Sequence, residues 1–184
     1  MVNIDFLELA KKRKTTYEFN SNPVKEFDVE KILEAGRWSP SCSNSQPWHF
    51  VVINDKTLIS ELISMAYYGE FHTEPPLIIA LVLRQELCQG ENHSCFAGED
   101  SEVHDSYMSI AMSALCMILE ARHLGIDSCI LTPVQKKIKA LLNVDKKDAV
   151  PLIVGFGYEK EGAFQKKRER RPLKNIVSYN SNKK

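Results

Sequence analysis

Residues 38–54 read WSPSCSNSQPWHFVVIN. Pro40 and Pro47 stiffen a run of serine and asparagine, and the end of the stretch turns into an apolar, β-branched strand. Upstream, Val29, Ile32, Leu33 and Gly36 share one helical face, with Asp28 as the expected N-cap and Ser39-Pro40 as the stop. The stretch is therefore a helix–loop–strand junction. A loop that only had to connect would be shorter. One crowded with hydroxyls, amides and backbone N–H groups, and held by two prolines, is expected to wrap a ligand.

Working outward, Asn3 is the expected cap of a first helix carrying Ile4, Leu7 and Ala10, which runs into the basic KKRKT. Thr57 to Ala66 reads as helix, with Leu58, Ile59, Leu62 and Ile63 as its stripe. Pro75-Pro76 then introduces LIIALVL, apolar at every position and so expected to be a strand covered on both faces. The polar, acidic stretch from Arg84 to Asp105 is the expected excursion or lid. After it, SYMSIAMSALCMILEARHLG is a helix apolar on nearly every side, ending at the C′ residue Gly125. A helix of that kind is buried in a core or against a partner subunit. DSCIL reads as a strand, VQKKIKALL as a helix and AVPLIVGFGYE as a long strand, and the tail from Gln165 is basic and expected to fray. Helices and strands mix without a strict βαβ rhythm, and neither linker nor repeat appears. The expectation is one α+β domain over residues 1–184.

Composition narrows the function. The 184 residues carry 24 basic and 24 acidic side chains, so net charge gives no case for nucleic acid or a membrane surface as the main partner. The first residues lack the pattern of a signal peptide, and the apolar run near Ile110–Leu119 is too short to span a bilayer. Five cysteines, an odd number, point to reduced thiols and a cytoplasmic setting.

Several motifs compete for the chemistry. GFGYEKEG at 155–162 has the wrong glycine spacing for a dinucleotide fingerprint and lies at a late strand end, so it reads as strand and turn. Cys88, His93, Cys95 and His104 gather soft ligands, but not at paired-knuckle spacing, so no metal is expected. Cys42 is a candidate thiol with no evident histidine and acid to activate it. Cys116 and Cys129 sit in apolar surroundings and read as core. The basic runs KKRK at 11–14 and KKRERR at 166–171 are either solvated faces or two halves of one anion site, where arginine offers forked donors.

RKTTYEF, SPSCSNSQPWHFVVI, the buried helix with Asp105 before it, LGIDSCIL, and VGFGYEKEG followed by RRPL resemble, in order, the segments of the nitroreductase family of flavin mononucleotide (FMN) enzymes. The likeness covers nearly the whole chain, and S-P-S-x-x-N-x-Q-P-W is its most specific piece. It implies a nitroreductase-like α+β fold, a mixed sheet flanked by helices, in an intertwined homodimer with FMN between the subunits. Pro40, Ser41, Cys42 and Asn44 would approach the flavin held mainly by the other subunit. Arg13, Lys14 and Thr15 would meet its phosphate, ribityl chain and pyrimidine edge, and Arg168 and Arg170 would reach the phosphate from the tail. Leu131 and Thr132 would present backbone near N5. Lys14 and Thr132 would assist, and no side chain would act as a nucleophile.

This sequence departs from the family pattern at three of these places. Tyr17 stands where a second basic residue is usual, Thr15 where serine is common, and Pro133, which has no N–H, where many members have glycine. The resemblance implies ping-pong hydride transfer from NAD(P)H through flavin N5 to a nitroaromatic, quinone or similar acceptor. Two other readings stay open here. One is an FMN-binding carrier or sensor without turnover; the other is a thiol or metal protein using Cys88, Cys95 and Cys42.

Overall fold

The computed structural model describes residues 5–67, 71, 73–87, 102–165 and 167–181. The metal reading's Cys88, His93 and Cys95 lie outside these residues, as does most of the expected lid. The helices are α1 (Phe6–Lys12), α2 (Glu26–Arg37), α3 (Lys56–Ser64), α4 (Glu102–His123) and α5 (Gln135–Leu141). The strands are β1 (Trp48–Ile53), β2 (Ala66–Tyr67), β3 (Leu77–Leu83), β4 (Asp127–Pro133) and β5 (Ala149–Gly157). They form one sheet in the order β1-β3-β5-β4-β2, and every pairing between them is antiparallel. Among the described residues, parallel pairing enters as isolated bridges, Thr15 to Ser128 and Glu18 to Thr73, where the chain after α1 runs along the sheet.

β3 explains why LIIALVL carries no polar residue. Leu77, Ile79, Leu81 and Leu83 enter one core with Ile32 of α2 and Ile110, Ala114 and Met117 of α4. Ile78, Ala80 and Val82 enter a second core with Ile59 and Leu62 of α3 and Ile138 of α5. A central strand between two helical layers is apolar on both faces whether its neighbours are parallel or antiparallel.

The caps shift some expected starts. Asp5 caps α1 by accepting from the N–H groups of Leu7 and Glu8, and Asp55 caps α3 through Leu58 N–H. α2 begins at Glu26 after Lys25, so Asp28 sits in its first turn rather than at the cap. There its carboxylate faces the positive helix end. α4 begins at Glu102, which turns the end of the expected excursion into helix.

α4 is not covered all round within one chain. Ile110, Ala114, Met117, Ile118 and Ala121 are buried, whereas Met108 is 51% exposed and Leu115 49%.

Candidate functional site

The α2–β1 loop lies against the N-terminal part of α4. Cys42 N–H donates to Ser109 Oγ at 3.4 Å, the Cys42 thiol donates to Asp105 Oδ2 at 3.5 Å, and Ser109 Oγ donates to Asp105 O at 2.8 Å. Inside the loop, Gln46 N–H donates to Ser41 Oγ at 2.9 Å and Asn44 N–H to Ser41 O at 3.0 Å. Pro47 O accepts from Arg84 N–H at 2.8 Å, which anchors the exit. Ser43, Asn44 and Gln46 adopt φ of 50°, 56° and 48°. Left-handed backbone in non-glycine residues costs roughly 1–2 kcal/mol each, and it persists only where surrounding contacts impose it. The loop therefore holds its polar groups in one shape. Pro40, Ser41 and Cys42, with Asp105, Met108, Ser109 and other α4 residues, line an open, largely apolar cleft of about 620 Å³.

A second site forms where the chain ends meet. Lys11 and Lys12 occupy the last turn of α1, where the negative helix end favours cations, and Arg13 is its C-cap. Arg168 reaches this end from the tail. Its Nη2 donates to Lys11 O at 2.6 Å, and its Nη1 donates to Arg13 O. Burial, and after it the positive charges of Arg168 and Arg170, pull the Arg13 pKa down. Ala10, Lys11, Arg168 and Arg170 line a cleft of about 330 Å³. Among the described residues, Arg13, Arg168 and Arg170 form no ion pair. Arginine keeps its charge at any accessible pH, so proton loss does not relieve this repulsion.

The other expected site residues surround this corner. Lys14 pairs with Glu159, whose other oxygen accepts from Gln165. Thr15 bridges Ser128, and Thr16 N–H donates to Ser128 O at 3.2 Å, fixing the segment on the start of β4. The Thr16 hydroxyl is buried without a hydrogen-bond partner. Tyr17 packs on Phe71 with ring centroids 6.2 Å apart; burial, with Cys129 behind it, raises its pKa. Leu131 turns its side chain into the core, while Thr132 is exposed and faces Tyr67 across the β2–β4 ladder.

The structure thus brings Arg13, Lys14, Thr15, Arg168 and Arg170 together, and it groups Pro40, Ser41, Cys42 and Asn44 separately. The loop sits at Asp105–Ser109 of α4. Thr15 sits at Ser128, next to the Arg122–Asp127 ion pair (2.8 Å) at the far end of that helix. The thirteen helical steps from Ser109 to Arg122 span about 20 Å. Glu159, Gln165, Asp105 and Ser109 were not singled out as site residues in the sequence. Only the i, i+4 spacing of Asp105 and Ser109 was available there as a signal.

Helices cover both faces of an antiparallel sheet in this α+β protein, with a polar loop against the N-terminal part of α4 and an arginine cluster at the end of α1. The Nitroreductase family model matches residues 10–158, and the chain belongs to that family. It is 28% identical over 202 residues to an NADH dehydrogenase of Thermus thermophilus, covering 96% of this chain and 96% of the relative. A nitroreductase family protein from Streptococcus pneumoniae superposes with TM-score 0.81 at 26% identity, covering 95% of this chain and 100% of that one. A protein from Desulfovibrio desulfuricans solved in complex with FMN shares the fold, with TM-score 0.79 at 21% identity over 98% of this chain and 99% of that one.

Proposed function

We propose that this chain is an FMN-dependent NAD(P)H oxidoreductase of the nitroreductase type. The observation that carries this reading is the convergence of Arg13, Arg168 and Arg170 from opposite ends of the chain. A cluster of three arginine charges without an acidic partner among the described residues fits a phosphate close to dianionic, as the FMN phosphate is. When bound, FMN supplies the redox chemistry, accepting hydride from NAD(P)H at N5 and passing it to a nitroaromatic, quinone or similar acceptor in a ping-pong sequence.

The chain's own residues bind and orient. Arg13 and Arg170 hold the phosphate, each charge-assisted bond contributing about 1.5–3 kcal/mol. Lys14 brings positive charge to the same corner, partly screened by Glu159. Thr15 and Tyr17 offer hydroxyls, with Tyr17 standing where the family usually has a second base. Thr132 is exposed near the end of β4, and with Leu131 it offers backbone to the flavin where Pro133 has no N–H.

The loop residues Pro40, Ser41, Cys42 and Asn44 are about a helix length away and serve the site of a second copy. Exposed Met108, Ala111 and Leu115 of α4, beside the loop cleft, support a homodimer whose twofold places each loop at the partner's phosphate corner. The α4 pattern noted in the sequence then has one face for the core and one for the partner. No helix among the described residues is long and apolar enough to cross a membrane, and a cytoplasmic setting is part of this proposal.

Titrating the cofactor-free chain with FMN and with riboflavin tests the reading. FMN is expected to bind at least tenfold more tightly, because riboflavin lacks the phosphate that the arginines would hold. Equal affinities would remove the anion site from the account.

A further inference from the structure

Arg168 is a conspicuous cation of the tail, yet its guanidinium is already engaged. Both of its terminal nitrogens donate to main-chain oxygens at the end of α1, Nη2 to Lys11 O at 2.6 Å and Nη1 to Arg13 O. Those carbonyls belong to the last turn, where a helix leaves its acceptors unpaired. A forked, permanently charged donor is well suited to two such acceptors, and it also meets the negative end of the helix. Arg170 is differently placed. Its Nη1 donates to the oxygen of its neighbour Glu169 at 2.9 Å, and it lines the same cleft. Gln165 adds a second tether, donating to the Glu159 carboxylate that holds Lys14.

We infer that Arg168 is a positioning residue, clamping the tail segment across the end of α1 so that Arg13 and Arg170 face one anion. This deepens the proposed function and rests on it for the identity of the anion. The clamp itself needs no ligand. It separates the roles of two arginines that look equivalent in KKRERR: Arg168 binds backbone and Arg170 binds the ligand. It also couples the two events. An anion drawing Arg13 and Arg170 together stabilises the docked tail, and the docked tail raises affinity for the anion.

The test is hydrogen exchange on the cofactor-free full chain, read over residues 160–171 and 9–14, with FMN affinity measured in parallel. Arg168→Ala is expected to speed exchange in both segments by about tenfold while β3 stays protected, and to weaken FMN binding. Arg170→Ala is expected to leave cofactor-free exchange at the wild-type rate and to weaken FMN binding alone. Arg168→Lys keeps the charge without the fork, and its exchange is expected to fall between wild type and alanine. Saturating FMN should slow the excess exchange of Arg168→Ala. If Arg168→Ala leaves exchange unchanged yet loses FMN as Arg170→Ala does, Arg168 is an anion ligand and the clamp is wrong. If no form of the chain binds FMN, the functional reading fails, while the exchange comparison still decides the clamp. Should the alanine variant not fold, Arg168→Gln is measured with the same two outcomes.

Discussion

Removing an arginine from the proposed phosphate corner should weaken ligand binding without weakening the ligand-free fold. Arg13 is half-buried at the C-cap of α1, and its lowered pKa records burial first and then repulsion from Arg168 and Arg170. Arg13→Ala and Arg170→Ala each remove one charge-assisted donor, about 1.5–3 kcal/mol, or roughly ten- to a hundredfold in FMN affinity. Arg170 is exposed and belongs at the lower end of that range. In the ligand-free chain the same substitutions relieve like-charge repulsion. For exposed groups this is worth a few tenths of a kcal/mol, so the melting temperature should hold or rise slightly. For a chain of this size about 1 kcal/mol shifts the melting temperature by about 2–4 °C, so the stabilisation by saturating FMN should shrink by roughly 3–12 °C. Melts with and without FMN, together with a fluorescence titration, read both quantities. Wild-type affinity in both variants would refute the convergent site. An equal loss of stability with and without ligand would show that the arginines only build structure.

Other predictions follow from particular contacts. Burial pushes the Cys129 thiol up to about 12, so alkylation at neutral pH should label exposed Cys42 and spare Cys129, as peptide mass spectrometry would read. The unfolded Cys129 thiol loses its proton near 9 and the folded one only near 12, so unfolding should become easier as pH climbs through that interval; denaturant midpoints unchanged across it would contradict this. Gly157→Ala would place a Cβ 2.5 Å from Pro76 Cδ and 2.9 Å from Phe19 Cδ1, and urea unfolding should show a loss of about 1–3 kcal/mol. Co-refolding an Arg13→Ala chain with an Asn44→Ala chain should restore one intact site per mixed dimer, with the other carrying both defects. Proven mixed dimers without recovery would put both residues on one flavin from one chain.

Much of this fold is legible because burial leaves its mark on sequence. LIIALVL announces a strand between two helical layers, and the α4 stripe is apolar on too many sides for one core. Its outer half, Met108 and Leu115, is visible as surplus before any partner is considered. The glycines of GFG are equally lawful, though their reason is tertiary: a Cβ on Gly155 would stand 2.7 Å from Pro75 Cγ. Sequence spacing alone left open whether the basic runs at 11–14 and 166–171 meet, and the Arg168 contacts with Lys11 O and Arg13 O bring them together. β2 escaped notice because Ala66 and Tyr67 are too short a run to show a period. The clamp by Arg168 escaped because its partners are backbone oxygens, which every residue has. The pairing of Lys14 with Glu159 depends on two residues 145 positions apart returning to one corner.

The central claim is that the chain moves hydride from a nicotinamide through bound FMN to an acceptor, and anaerobic spectroscopy of the FMN-loaded protein tests it most directly. Adding NADH or NADPH should bleach the flavin absorbance. Adding a quinone or nitroaromatic afterwards should restore it, with no need for both substrates to be present together. A flavin that binds but resists bleaching by both nucleotides would mark a carrier or sensor, and a protein that stays colourless with FMN supplied would contradict the account altogether.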